Sequence, residues 1–171
     1  MMAILPSLRA SAQGSSAQLA VNLTVQSSIS LVFQNNPSVG SVGFCALTNA
    51  GTNNVGLDLG TASFTGGASL ACVSWSRIGA ATYQVASGFD VVVSKANTSS
   101  PNYQLAASLS SAPPANVAWL INNTTLSTAF TTFQATNAYT TPVTETLKVQ
   151  VKNNVPAQTL QETITFLATA N

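Results

Sequence analysis

Four carboxylates and five basic side chains are the whole ionic inventory of this 171-residue chain, which has no histidine. The acids are Asp58, Asp90, Glu145 and Glu162; the bases are Arg9, Arg77, Lys95, Lys148 and Lys152. General acid–base work near neutral pH draws on histidine, or on carboxylates held in a cleft with displaced pKa values. Asp58 and Asp90 are the one pair that could serve a glycosidase, and they would then have to converge to within about 10 Å of each other. Each also has an ordinary structural reading. Asp58 lies inside Gly56-Leu57-Asp58-Leu59-Gly60, where a strand-end carboxylate accepts backbone N–H groups. Asp90 precedes Val91-Val92-Val93 and suits the outward face of a half-buried strand. No G-x-S-x-G elbow, Walker loop, H-E-x-x-H or C-x-x-C is present. Calcium favours clustered acids, and these are isolated along the chain. The inventory points away from an enzyme and calls for no cofactor or metal.

Cys45 and Cys72 are the only cysteines. Two thiols without histidine cannot complete a four-ligand zinc site unless carboxylates or a second chain help. A disulfide is the preferred reading, and closing that loop would stabilise the fold by about 3.5 kcal/mol in the chain-entropy model. Such a bond points to an oxidising, extracellular setting, whereas the alternative is a pair of buried free thiols in a cytosolic protein. At the N-terminus, Ala10-Ser11-Ala12 before Gln13 has the small-x-small form of a signal-peptidase site. Residues 1–12 are accordingly read as the remnant of a signal peptide. No run approaches the roughly 20 apolar residues of a transmembrane helix.

Charged residues make up 5% of the chain against 46% hydrophobic ones, so Thr, Ser, Asn and Gln must build the polar surface. With a formal net charge of +1 there is no basic stripe for a phosphate backbone, and nucleic acid is not an expected partner. A surface with so little charge lacks the repulsion that keeps soluble monomers apart. Copies of the same chain are therefore the first partners to consider.

From Ala17 onward the hydrophobic period is two and no helical pattern emerges. Leu19, Val21, Leu23 and Val25 alternate with polar or small residues, and Ile29, Leu31 and Phe33 continue the alternation. Further strands are expected at residues 43–47, 55–59, 70–75, 82–86, 89–95, 103–108, 117–121, 147–151 and 160–168. Their joints carry turn-forming Asn, Gly and Pro: residues 49–54, Gly66-Gly67, Gly79, Gly88, residues 97–101 and Pro113-Pro114. Many short strands without crossover helices imply an all-β, antiparallel sandwich of the immunoglobulin-like or pilin-like kind. The expected organisation is an N-terminal extension over residues 13–26, followed by a single sandwich domain over residues 27–171.

Several of these features together resemble bacterial pilin-type sandwiches, and in layout the spore coat U and Csu-type fimbrial family. They are the alternating N-terminal segment, the apparent disulfide, the run Val55-Gly56-Leu57-Asp58-Leu59-Gly60, and the closing strand around Glu162-Thr163-Ile164-Thr165-Phe166. The resemblance implies an incomplete sandwich whose groove takes an extended strand from the next subunit, with Leu19, Val21, Leu23 and Val25 in that donor role. It further implies a homopolymeric, extracellular fimbrial filament, with an export chaperone and usher as the additional partners it brings in.

Two other readings compete. Trp75, Trp119, Tyr83, Tyr103 and Tyr139 could form a platform for sugar rings in a monomeric carbohydrate-binding or adhesive module, although large aromatics in sandwiches usually pack in the core. The simplest alternative to strand donation is that residues 17–25 pair within their own sheet. Asn22, Asn97, Asn122 and Asn123 each satisfy N-x-[ST] and are candidate glycosylation sites, in a chain where the motif arises readily by chance.

Overall fold

The computed structural model describes residues 22–39 and 43–171, and among these there is no helix. Eleven strands are formed: β1 (Ser28–Gln34), β2 (Ala62–Ser63), β3 (Gly67–Ala68), β4 (Ser74–Arg77), β5 (Thr82–Ala96), β6 (Asn102–Leu109), β7 (Val117–Ile121), β8 (Thr124–Thr125), β9 (Thr131–Ala138), β10 (Val143–Lys152) and β11 (Ile164–Ala170). The larger sheet runs β1-β5-β10-β7-β8, with β4 sharing the β1 edge of β5, and the smaller runs β11-β6-β9. β2 and β3 form a separate small hairpin. Every pairing is antiparallel. The fold is the expected all-β sandwich.

The core follows from the two-residue period. On β10, Leu147, Val149 and Val151 point inward with Glu145, while Lys148 and Gln150 face outward and are half-buried. Phe89 and Val85 of β5 lie opposite Glu145 and Val149, Val91 and Val93 extend the same strand face, and Tyr103, Leu105, Ala107 and Leu109 of β6 close the core from the other sheet. Four phenylalanines join the layers: Phe166 of β11 meets Phe33, Phe89 and Phe133 edge-on, with ring centroids 5.0, 6.0 and 5.6 Å away.

Four features differ from the sequence pattern, most of them for a local reason. The expected break at Gly88 is absent, and β5 runs unbroken for 15 residues. Gly88 serves close approach instead: its N–H bonds the Gly43 carbonyl at 3.0 Å, and a Cβ there would sit 2.7 Å from Val39. This covering explains why residues 85–89 are buried on both faces. Residues 43–47 do not form a strand, because side chains replace the ladder. Ser87 Oγ accepts the Cys45 N–H at 2.9 Å, and Asn35 Oδ1 accepts that of Leu47 at 2.8 Å. Residues 70–75 contribute only the start of β4. β9, conversely, has no clear apolar alternation; it pairs with β6 through two register shifts around Leu105, which disrupt the period.

Cys45 and Cys72 are joined by a disulfide, with an S–S distance of 2.09 Å and Cα atoms 4.9 Å apart. Gly43 lets the Cys45 segment lie against the Cys72 segment. Its φ of +76° and the 2.5 Å from a Cβ there to the Cys72 carbonyl oxygen leave no room for a side chain.

Candidate functional site

A cleft of 1190 Å³ opens beside the smaller sheet, over the inward face of the larger one. Its floor is apolar: Val85 and Phe89 of β5, Leu147, Val149 and Val151 of β10, and Trp119 and Ile121 of β7. The volume exceeds the roughly 300–1,000 Å³ of small-ligand pockets, and along β5 the floor from Tyr83 to Phe89 covers about 20 Å at 3.3 Å per residue. These dimensions suit an extended peptide.

The walls are two extended segments. One is residues 158–163 continuing into β11, where Leu160, Glu162, Ile164 and Phe166 are half-buried and alternate with exposed residues. The other is residues 55–60, where half-buried Val55, Leu57 and Leu59 alternate with exposed Gly56, Asp58 and Gly60. The expected strand at 55–59 is realised only as an isolated bridge between Gly56 and Thr48. Gly56 exchanges both main-chain bonds with Thr48, so Val55 and Leu57 turn theirs the opposite way.

On β11 the odd residues bond β6: Thr163 accepts from Ser110 N, and Asn171 N donates to the Asn102 carbonyl. By the same alternation Ile164, Phe166, Ala168 and Ala170 present their N–H and C=O groups to the other edge, where no strand pairs among the described residues. Glu162 anchors this wall. Its Oε1 accepts from Ser110 N at 2.8 Å and Ser110 Oγ at 2.5 Å, and its Oε2 accepts from Ser111 Oγ at 2.9 Å. Burial pushes that carboxyl up, but the bonds from Ser110 and Ser111 outweigh it and hold it below the usual 4.5.

The expected donor residues divide. Leu19 and Val21 lie outside the described residues, whereas Leu23 and Val25 precede β1 in no strand and are 84% and 64% exposed. Asn97 Nδ2 donates to the Gln26 carbonyl at 3.0 Å, and Ser28 lies opposite Ala96. The extension therefore leaves the sandwich at the C-terminal end of β5. The near end of the cleft is lined by Phe33 of β1, about 17 Å from Ser28 at 3.3 Å per residue, and by Phe89 of β5, about 23 Å from Ala96.

Asp58 and Asp90 do not share a site. Asp58 lines the cleft and accepts the Gly60 N–H at 2.8 Å, as expected of a strand-end carboxylate. Asp90 is absent from the cleft lining and accepts from Asn36 Nδ2 and Thr144 Oγ1, each at 2.7 Å. No cluster of three metal-ligating His, Cys, Asp or Glu side chains occurs among the described residues. The aromatic platform is not formed either. Trp119, Tyr103 and Tyr139 are buried, and Trp75, half-buried, stacks on Tyr83 at 6.4 Å. Among the N-x-[ST] asparagines, Asn122 turns its amide to Glu145 and Asn123 accepts from Lys148 Nζ at 2.8 Å, while Asn22 and Asn97 are exposed.

The sequence reading passed over Glu145, which the fold buries completely. The signal was present: Glu145 shares the parity of Leu147, Val149 and Val151, so the same strand register must carry it inward. No helix among the described residues is long and apolar enough to cross a membrane. The chain matches no protein-family model, no curated protein and no solved structure. The likeness to spore coat U and Csu-type fimbrial proteins rests on layout alone.

Proposed function

We propose that the chain is a structural subunit of an extracellular, fimbria-like filament, in which residues 19–25 of one copy enter the cleft of the next as an added strand. The observation that carries this reading is a strand-sized cleft with an apolar floor, filled by none of the described residues, beside an edge of β11 that none of them pairs, together with exposed Leu23 and Val25 ahead of β1. Reach favours a second copy over self-insertion. Val25 is three residues from Ser28 and can lie at most about 11 Å from it, short of the roughly 17 Å to Phe33 at the near end of the chain's own cleft.

Magnitudes say which interactions must do the holding. Burying the four side chains Leu19, Val21, Leu23 and Val25 is worth about 6–12 kcal/mol. Ordering seven residues costs about 7–14 kcal/mol. Apolar burial alone comes out near zero, so main-chain bonds to the β11 edge must supply the surplus, as strand addition to a sheet edge does. Covering that edge also removes a site for unspecific pairing. The Cys45–Cys72 disulfide fits an oxidising, cell-surface setting.

The test is the full-length variant L23D/V25D. Both side chains are exposed in the monomer, so its unfolding midpoint should stay within about 0.5 kcal/mol of the parent. Filaments seen by negative-stain microscopy should disappear. Filaments of ordinary length and abundance from this variant would exclude donation by that segment.

A further inference from the structure

Glu145 is the one carboxyl or amine among the described residues that is fully buried. It projects from β10 between the two sheets, beyond the end of the cleft, and is not needed for strand insertion. Its Oε2 accepts from Asn122 Nδ2 at 2.5 Å, while its Oε1 makes no hydrogen bond of good geometry, the Gln134 amide of β9 lying close enough only to favour its charge. From β6 comes Tyr103, close enough to feel the Glu145 charge; behind it lies Tyr139, with ring centroids 5.1 Å apart. The hydroxyls of both tyrosines and the Asn137 amide nitrogen are also buried without partners. From β5 the charged neighbours are Asp90, which repels a second negative charge, and Lys95. Lys95 is committed elsewhere, its amine donating to the Ser100 carbonyl and lying 4.8 Å from the centre of the Tyr139 ring.

An ionised carboxylate in this place would leave one oxygen with neither water nor a cation, which costs several kcal/mol. The neutral acid avoids that cost. We propose that Glu145 is a proton-operated switch on the packing between the two sheets: its neutral form lets β10 pack against β6 and β9, and losing the proton loosens that packing. The energetics agree in sign. Burial pushes the carboxyl up from 4.5 to about 7, against the pull of the Asn122 and Gln134 amides, with Asp90 adding to the rise. The folded protein thus holds this proton more tightly than the unfolded chain does. Stability from it is complete below pH 4.5, falls as pH rises towards 7, and stays low above that. The chain has no histidine to add a titration of its own in that range.

The experiment is a carbon-13 titration of the glutamate carboxyls in the full-length, disulfide-bonded protein, paired with urea unfolding from pH 4.5 to 8. Glu145 and Glu162 are the only glutamates, and E162Q assigns the two signals. Glu145 is expected to titrate with a midpoint near 7, and the folding equilibrium constant to fall by a hundredfold or more, roughly 3 kcal/mol, between pH 4.5 and 8. E145Q, which mimics the neutral acid, should remove that dependence and exceed the parent protein in stability at pH 8. A Glu145 midpoint near 4.5 in the folded protein, or an unchanged pH dependence in E145Q, would overturn the proposal. If E145Q fails to fold, the carboxyl titration of the parent protein decides alone.

Discussion

Glu145, Tyr103 and Tyr139 show how much a single register decides. All three are polar enough to stand at a surface, yet strand parity carries Glu145 into the core, and Tyr103 lies fully buried. Parity is legible in a sequence; the absence of partners is not. Whether a buried hydroxyl finds an acceptor depends on a second sheet whose placement no local pattern encodes, and here neither tyrosine hydroxyl finds one. Removing such an orphan lifts a desolvation penalty at little packing cost. Y103F should therefore be neutral or up to about 1 kcal/mol more stable in urea unfolding. A loss well beyond 1 kcal/mol would mean that the hydroxyl has a partner of consequence. Asp58 illustrates the opposite case, since its role as an acceptor of backbone N–H groups was readable from the residues around it and the Gly60 bond realises it.

Among the elements, the strands with strict alternation or an unbroken apolar run were the legible ones. β1, β7 and β10 fall where Phe33, Val117–Ile121 and Leu147–Val151 indicate. β9 was hidden because its inward residues are few and two register shifts break its period. Residues 43–47 and 55–59 fail in the other direction. Their sequences alternate, but the first is held by side chains of Ser87 and Asn35, and the second has almost no neighbour to pair with. Residues 55–59 thus read as a strand and lie beside a cleft that none of the described residues fills, the combination that the proposed strand insertion requires. Elsewhere the Cys45 segment depends on its disulfide for attachment, since only scattered bonds tie it to β5. C45S/C72S should lose about 3.5 kcal/mol in urea unfolding, the entropy of the released loop. A loss under 1 kcal/mol would show that Gly43 packing and the Ser87 bond suffice without the crosslink.

At the scale of the whole molecule, the sandwich has a direction. Exposed Leu23 and Val25 precede β1 at the Ala96 end of β5, and the cleft floor runs from Phe89 toward the Tyr83 end, so under the proposed strand exchange donor and acceptor would lie apart on one subunit. Surfaces of this kind associate head to tail and generate open chains more readily than closed dimers. The scarcity of charge adds no repulsion between successive copies. The most direct measurement is amide hydrogen exchange on β11, compared between monomer and assembled material. The account predicts that the edge-facing amides of Ile164 and Phe166 become strongly protected on assembly, while Thr165, already directed to β6, changes little. Equal exchange at Ile164 and Phe166 in the two states would contradict strand insertion at this cleft.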